Sequence, residues 1–110
     1  MADLSSSPPL KPADFHILLV LLEKPRHGYE IMKEVERESA GQVRLEVGTL
    51  YRILARLVGD GLLREADLDG RRRNYSLTPL GRRTVQAEAE RLADVVGRLR
   101  ARNLLPHTEV

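Results

Sequence analysis

A mainly α-helical fold carrying one small β-hairpin is what this 110-residue sequence predicts. Three observations point there. Apolar residues recur at helical spacing in three segments before residue 60. An Asp69-Gly70 pair, able to take the backbone angles of a tight turn, joins two short alternating segments. A sustained 4, 3, 4, 3 apolar spacing then runs through the last quarter of the chain. The length fits one domain with short extensions.

Residues 1–12 read as a flexible leader, since Ser5-Ser6-Ser7-Pro8-Pro9 and Pro12 offer no core. Asp14 is the expected N-cap of a first helix through Phe15, Ile17, Leu18, Leu21 and Leu22, which Pro25 ends. Its apolar residues surround most of its circumference, marking it as the buried helix. A second helix starts near His27-Gly28 and runs to about Ser39. Its inner face is Tyr29, Ile31, Met32 and Val35, and Ala40-Gly41 breaks it. Gln42 to Leu45 reads as a short extended piece. A third helix, Val47 to Asp60, turns Leu50, Ile53, Leu54 and Leu57 to the core, with Thr49, Arg52 and Arg56 opposite. Gly59-Asp60-Gly61 stops it.

The hairpin comprises Leu62 to Asp67, a turn at Leu68-Asp69-Gly70, and Arg71 to Leu77. Arg71, Arg73, Tyr75 and Leu77 share one face of the return strand. Thr78 then caps, and Pro79 begins, a last helix reaching toward Asn103. Val85, Ala89, Leu92, Val96 and Leu99 form its heptad seam. Three helices followed by a two-stranded wing make a winged helix-turn-helix over residues 13–78. Residues 79–105 add a C-terminal dimerisation helix, and 106–110 a tail.

Composition narrows the function. With no cysteine, disulfides and thiolate metal sites are excluded, and a reducing, cytoplasmic setting fits. No signal-peptide pattern opens the chain, and its longest apolar run, Ile17 to Leu22, is far too short to span a bilayer. Residues 1–41 carry five Lys/Arg against seven Asp/Glu, and residues 84–110 four against four. Residues 42–83 carry nine against five, which makes the middle third the anion-facing region. His16, His27 and His107 are scattered, and neither a phosphate loop nor a nucleophile elbow occurs. We therefore expect no enzymatic activity, no cofactor and no metal.

Three constellations carry the remaining chemistry. At the start of the third helix, Gly48 lets backbone approach a phosphate, Thr49 and Arg52 reach toward base edges, and Tyr51 offers a hydroxyl to a phosphate oxygen. After the hairpin tip, Arg71, Arg72 and Arg73 put charge on both faces of a projecting ribbon. Such a wing grips the backbone or enters the minor groove, and three arginines exceed what guarding a strand edge needs. The heptad seam, third, pairs two copies, and two-fold symmetry supplies the paired helices a palindromic operator demands.

Four segments together resemble the PadR family of transcription regulators: His27-Gly28-Tyr29-Glu30-Ile31; Gly48-Thr49-Leu50-Tyr51-Arg52-Ile53-Leu54 onward to Leu57; Gly61-Leu62-Leu63; and Gly70-Arg71-Arg72-Arg73-Asn74-Tyr75-Ser76-Leu77-Thr78-Pro79-Leu80-Gly81. They follow the family's order and spacing over residues 14–82. The resemblance implies a winged-helix homodimer joined by C-terminal helices, acting usually as a repressor, here in a short form with one C-terminal helix. By the same resemblance Gly48, Thr49, Tyr51 and Arg52 meet double-stranded DNA, with Arg56 on the same helix. The wing from Arg71 to Arg73 lies alongside, and Tyr29 supports the fold or touches phosphate. Asn74 stands where an aromatic is often found. The chain also lacks the Trp on which some relatives stack planar drugs. A small apolar effector between the dimer arms and the first helix, or control by abundance alone, both remain open. The competing reading is a protein-interaction adaptor whose basic wing docks an acidic partner.

Overall fold

The computed structural model describes residues 9–67 and 73–106. Four helices and a small sheet follow in the order α1 (Pro12–Val20), β1 (Arg26–His27), α2 (Gly28–Glu38), α3 (Val47–Gly59), β2 (Leu63–Asp67), β3 (Arg73–Leu77) and α4 (Pro79–Ala101). The winged helix-turn-helix with a long C-terminal helix is therefore the architecture observed. The sheet, however, has three strands in the order β1-β3-β2, all antiparallel. The expected extended piece at Gln42 to Leu45 is not a strand. The third strand is Arg26–His27, which pairs with Tyr75 and Asn74 and so ties the start of α2 to the wing. Two residues show no alternation, so periodicity gives no sign of such a strand.

One core joins the elements. Ile17, Leu18, Ile31, Val35, Leu50, Leu54 and Leu57 are fully enclosed, with Leu63 and Tyr75 entering from the sheet and Val85 from α4. The apolar stripe of α3 is the one its spacing predicts. Val85, the first position of the expected heptad seam, is instead spent on the core of its own domain.

The N-terminal boundary also differs. Pro12 occupies the first turn of α1, and the N-cap is Lys11, whose side chain makes no cap hydrogen bond. Asp14 thus lies inside the helix rather than capping it. Leu10 packs against the core, and its backbone helps lower the pKa of the buried Glu88 carboxyl on α4. The chain is therefore held to the fold from Leu10 onward; residues 1–8 lie outside the described residues. Arg91 closes the other side of Glu88 through two hydrogen bonds of 2.9 and 2.7 Å.

The α4 N-terminus follows the expected chemistry. The Thr78 hydroxyl accepts from the Gly81 amide at 3.0 Å and donates to the Gly61 carbonyl at 2.6 Å. Gly81 packs flat on the Leu62 backbone, where a side chain would collide with the Leu62 carbonyl oxygen and lie 3.0 Å from Leu77 Cδ2. Beyond Ala101 the helix unwinds, and Asn103 takes a left-handed conformation (φ 61°). Among the described residues no helix is long and apolar enough to cross a membrane.

Gly81→Ala should destabilise the fold by about 2–3 kcal/mol in urea denaturation, because the obstacle is backbone that cannot yield. Glu88 should impose an acid limit on stability. The Arg91 hydrogen bond holds its carboxyl below the ordinary value of 4.5. Its contribution is therefore full above that value and is lost as pH falls through the lower folded-state value. Glu88→Gln should reduce the stability difference between neutral pH and about pH 3 in paired denaturation curves.

Candidate nucleic-acid interface

The uncovered side of α3 begins at its first residue. Val47, Gly48, Tyr51, Arg52, Ala55 and Arg56 are exposed, whereas Leu50, Ile53, Leu54 and Leu57 are buried. At about 100° per residue the exposed set forms one continuous arc opposite the core stripe. The helix N-terminus has no side-chain cap, so its first amides and their partial positive charge face outward. Thr49 lies at the edge of the arc and is half-buried.

Tyr51 meets α2 through a close approach between the two helices. The Tyr51 ring lies directly over Gly28, where a methyl group would come within 2.7 Å of Cζ. Only the absence of a side chain at position 28 admits that ring. Tyr29, next along α2, is 59% exposed, and the ammonium of Lys33 sits 5.4 Å from its ring centroid. The same end of α2 is closed by a capping box. The Glu30 amide donates to His27 Nδ1 and the His27 amide to Glu30 Oε1, each at 3.3 Å. Beneath Tyr51, Tyr75 is buried in the sheet. Burial raises its phenol pKa, the charge of Glu65 and the neighbouring Tyr51 raise it further, and Arg73 opposes the shift.

The arginines expected at the interface divide into three groups. Arg52 is exposed and forms no ion pair among the described residues. Arg73 is held by Glu65 at 3.1 Å across the two wing strands, while Arg71 and Arg72 lie outside the described residues. Arg56 is committed within the fold. Its Nη2 donates to both carboxylate oxygens of Asp14, at 2.9 and 3.0 Å. Asp14 is only 7% exposed, whereas Arg56 is 46% exposed. This pair joins residues 42 apart in sequence and bridges α1 to α3. Sequence reasoning missed it because no local spacing signals it. Val47 and Ala55, also missed, were legible from the helical wheel, since both fall outside the core stripe.

On α4, Ala89 is exposed and Leu92, Val96 and Leu99 are half-buried. These four positions continue the line of Val85 along α4 but lie outside the core cluster to which Val85 belongs. A cavity of about 160 Å³ opens between the end of α1 and the outer side of α2, lined by Leu19, Leu22, Arg26, Glu34 and Glu38. It is smaller than the few hundred Å³ that a drug-sized ligand fills.

The model of the PadR-like transcriptional regulator family matches residues 17–87, well over half of the chain. An uncharacterized protein X of Lysinibacillus sphaericus is 30% identical over 86 residues, covering 74% of this chain and 79% of that protein. An uncharacterized 37.1 kDa protein in a Streptomyces fradiae transposon is 39% identical over 87 residues. The match takes in 79% of this chain but only 25% of that longer protein. Among solved structures, a transcriptional regulator from Clostridium thermocellum superposes with a TM-score of 0.70 at 27% identity, covering 81% of this chain and 87% of the other. A PadR family regulator from Clostridium difficile, at 22% identity, shares the fold with a TM-score of 0.72 over 83% and 97% of the two chains. RosR of H. salinarum is 31% identical with a TM-score of 0.64, over 82% and 77%.

Two outcomes follow from the contacts of α3. Arg56→Ala should destabilise the protein by about 2–3 kcal/mol, measured by chemical denaturation. It strands the Asp14 carboxylate in a site closed to water, and the cost stays below that of a fully enclosed pair because Arg56 is half open to solvent. Gly28→Ala should displace Tyr51, visible as a changed near-ultraviolet circular dichroism signal. The double variant Gly28→Ala/Tyr51→Ala should recover the stability that the single change loses.

Proposed function

Because the chain belongs to the PadR-like family of transcriptional regulators, which are not enzymes, we propose that it works as a homodimeric, sequence-specific repressor that reads a palindromic operator. The observation that carries this reading is the N-terminal half of α3, left bare by its own domain with Gly48, Tyr51 and Arg52, which forms no ion pair among the described residues, on one arc. A helix presented in this way enters the major groove by its first turns. Arg52 hydrogen-bonds a guanine edge, Tyr51 and Tyr29 contact backbone phosphates, and the open α3 N-terminus favours a further phosphate. Thr49, at the edge of the arc, reaches a base or sugar at the groove wall. Arg56 contributes by holding α3 in place, with its exposed edge close to the backbone.

The wing, Arg71 to Arg73, lies along the backbone or minor groove beside the helix and supplies affinity without reading sequence. Residues 13–78 form the DNA-binding unit and 79–105 the dimerisation helix. Ala89, Leu92, Val96 and Leu99 make the contact between copies, since their apolar side chains have no cover from their own core. An apolar effector would enter where the two dimer arms meet α1.

The direct test is a gel shift with duplex DNA from upstream of the protein's own coding region, across a range of salt and with candidate apolar molecules added. Binding that weakens steeply with salt is expected, and a salt-insensitive isotherm would remove the arginine–phosphate reading. Arg52→Ala should lower discrimination at one base pair by about tenfold. Arg71→Ala and Arg72→Ala should weaken all sequences alike, each reducing the salt slope by about one. Leu92→Asp with Val96→Asp should yield monomers by sedimentation and lose operator binding.

A further inference from the structure

We infer that Val47 is a base-reading residue, packing its side chain against the 5-methyl group of a thymine that lies in the same half-site as the guanine taken by Arg52. The inference deepens the DNA-binding reading above and rests on it.

Val47 is the first residue of α3, is 57% exposed and lies outside the core cluster. Its neighbour Gly48 is equally unexplained by the fold. A side chain built there would meet nothing within 4 Å, and its helical conformation does not call for glycine. Gly59 and Gly97 are equally bare, but Gly48 alone of the three sits in the first turn of α3, on its exposed arc, where a missing side chain lets another body come close to the backbone. The valine and the glycine together form a low apolar step at the tip of the helix.

The polar groups around that step are already assigned. Arg56 is held by Asp14, Thr49 is half-buried, and the Tyr51 ring lies over Gly28. Arg52 is left as the one charged donor on the arc whose ion-pairing capacity is unspent among the described residues. In the major groove, guanine offers two acceptors to such a guanidinium, and thymine is distinguished by its methyl group, which apolar side chains contact. A valine beside a bare backbone matches that methyl and offers nothing to the donors or acceptors of the other bases. The surface therefore fits a step that combines guanine with thymine, read by charge on one side and by shape on the other.

The test begins by selecting duplexes from a random pool with the full-length protein. Each thymine of the selected half-site is then replaced in turn by deoxyuridine, which removes only the methyl group. One position per half-site should lose about fourfold in affinity, the worth of one buried methyl. Val47→Ala should bind the thymine and deoxyuridine duplexes equally at that position. Gly48→Ala, which meets no obstacle in the fold, should weaken every duplex by holding the helix off the groove floor. Deoxyuridine tolerated at every position, or thymine preference retained by Val47→Ala, overturns the inference while leaving DNA binding intact. A pool from which no duplex is enriched overturns the DNA-binding reading and this inference with it.

Discussion

The ion pair between Asp14 and Arg56 sets the terms for the rest of the molecule. A carboxylate shut away from water needs its cation, and the cation lies on the third helix. The pair therefore ties α3 to α1 at the flank of the surface that α3 presents. Apolar packing of Leu50, Ile53, Leu54 and Leu57 supplies the larger energy and sets which side of α3 faces inward. The ion pair adds a directional contact beside that stripe. The exposed arc of α3 is thus braced on its flank by a contact between residues far apart in the chain.

The second organising contact is the joint between the wing and the start of α2. Through β1, the segment that leads into α2 becomes an edge strand of the wing sheet. Tyr75 anchors the sheet from beneath, and Tyr51 lies between α3 and α2. The described strands and the helices are therefore joined through β1, Tyr75 and Tyr51. The Glu88 carboxylate does the same work at the other end, joining α4 to the chain just before α1.

Much of this fold was legible in the sequence because its strongest signals are local. The core stripe of α3, the Thr78-Pro79 start of α4 and the order of the elements rest on spacing and capping chemistry that short windows contain. What escaped such reading was long-range. Asp14 has the chemistry of a cap, and only a partner 42 residues away shows it to be an interior ion. Val85 fits the heptad of α4, yet the core reaches far enough along that helix to claim it. Arg26–His27 becomes a strand only because β3 stands beside it. At the candidate site, periodicity identified the exposed arc, but Arg56 was grouped with its free neighbours on spacing alone.

The contact of Tyr51 with Gly28 carries a consequence for how such sequences can diverge. A ring resting on bare backbone makes positions 28 and 51 a single unit: one cannot enlarge until the other has shrunk. Drift at either site alone crosses a valley of poorer packing, while paired change does not. The shape of the surface presented by α2 and α3 can therefore be altered only in coordinated steps, so this joint is a brake on the pace at which related chains acquire new binding preferences.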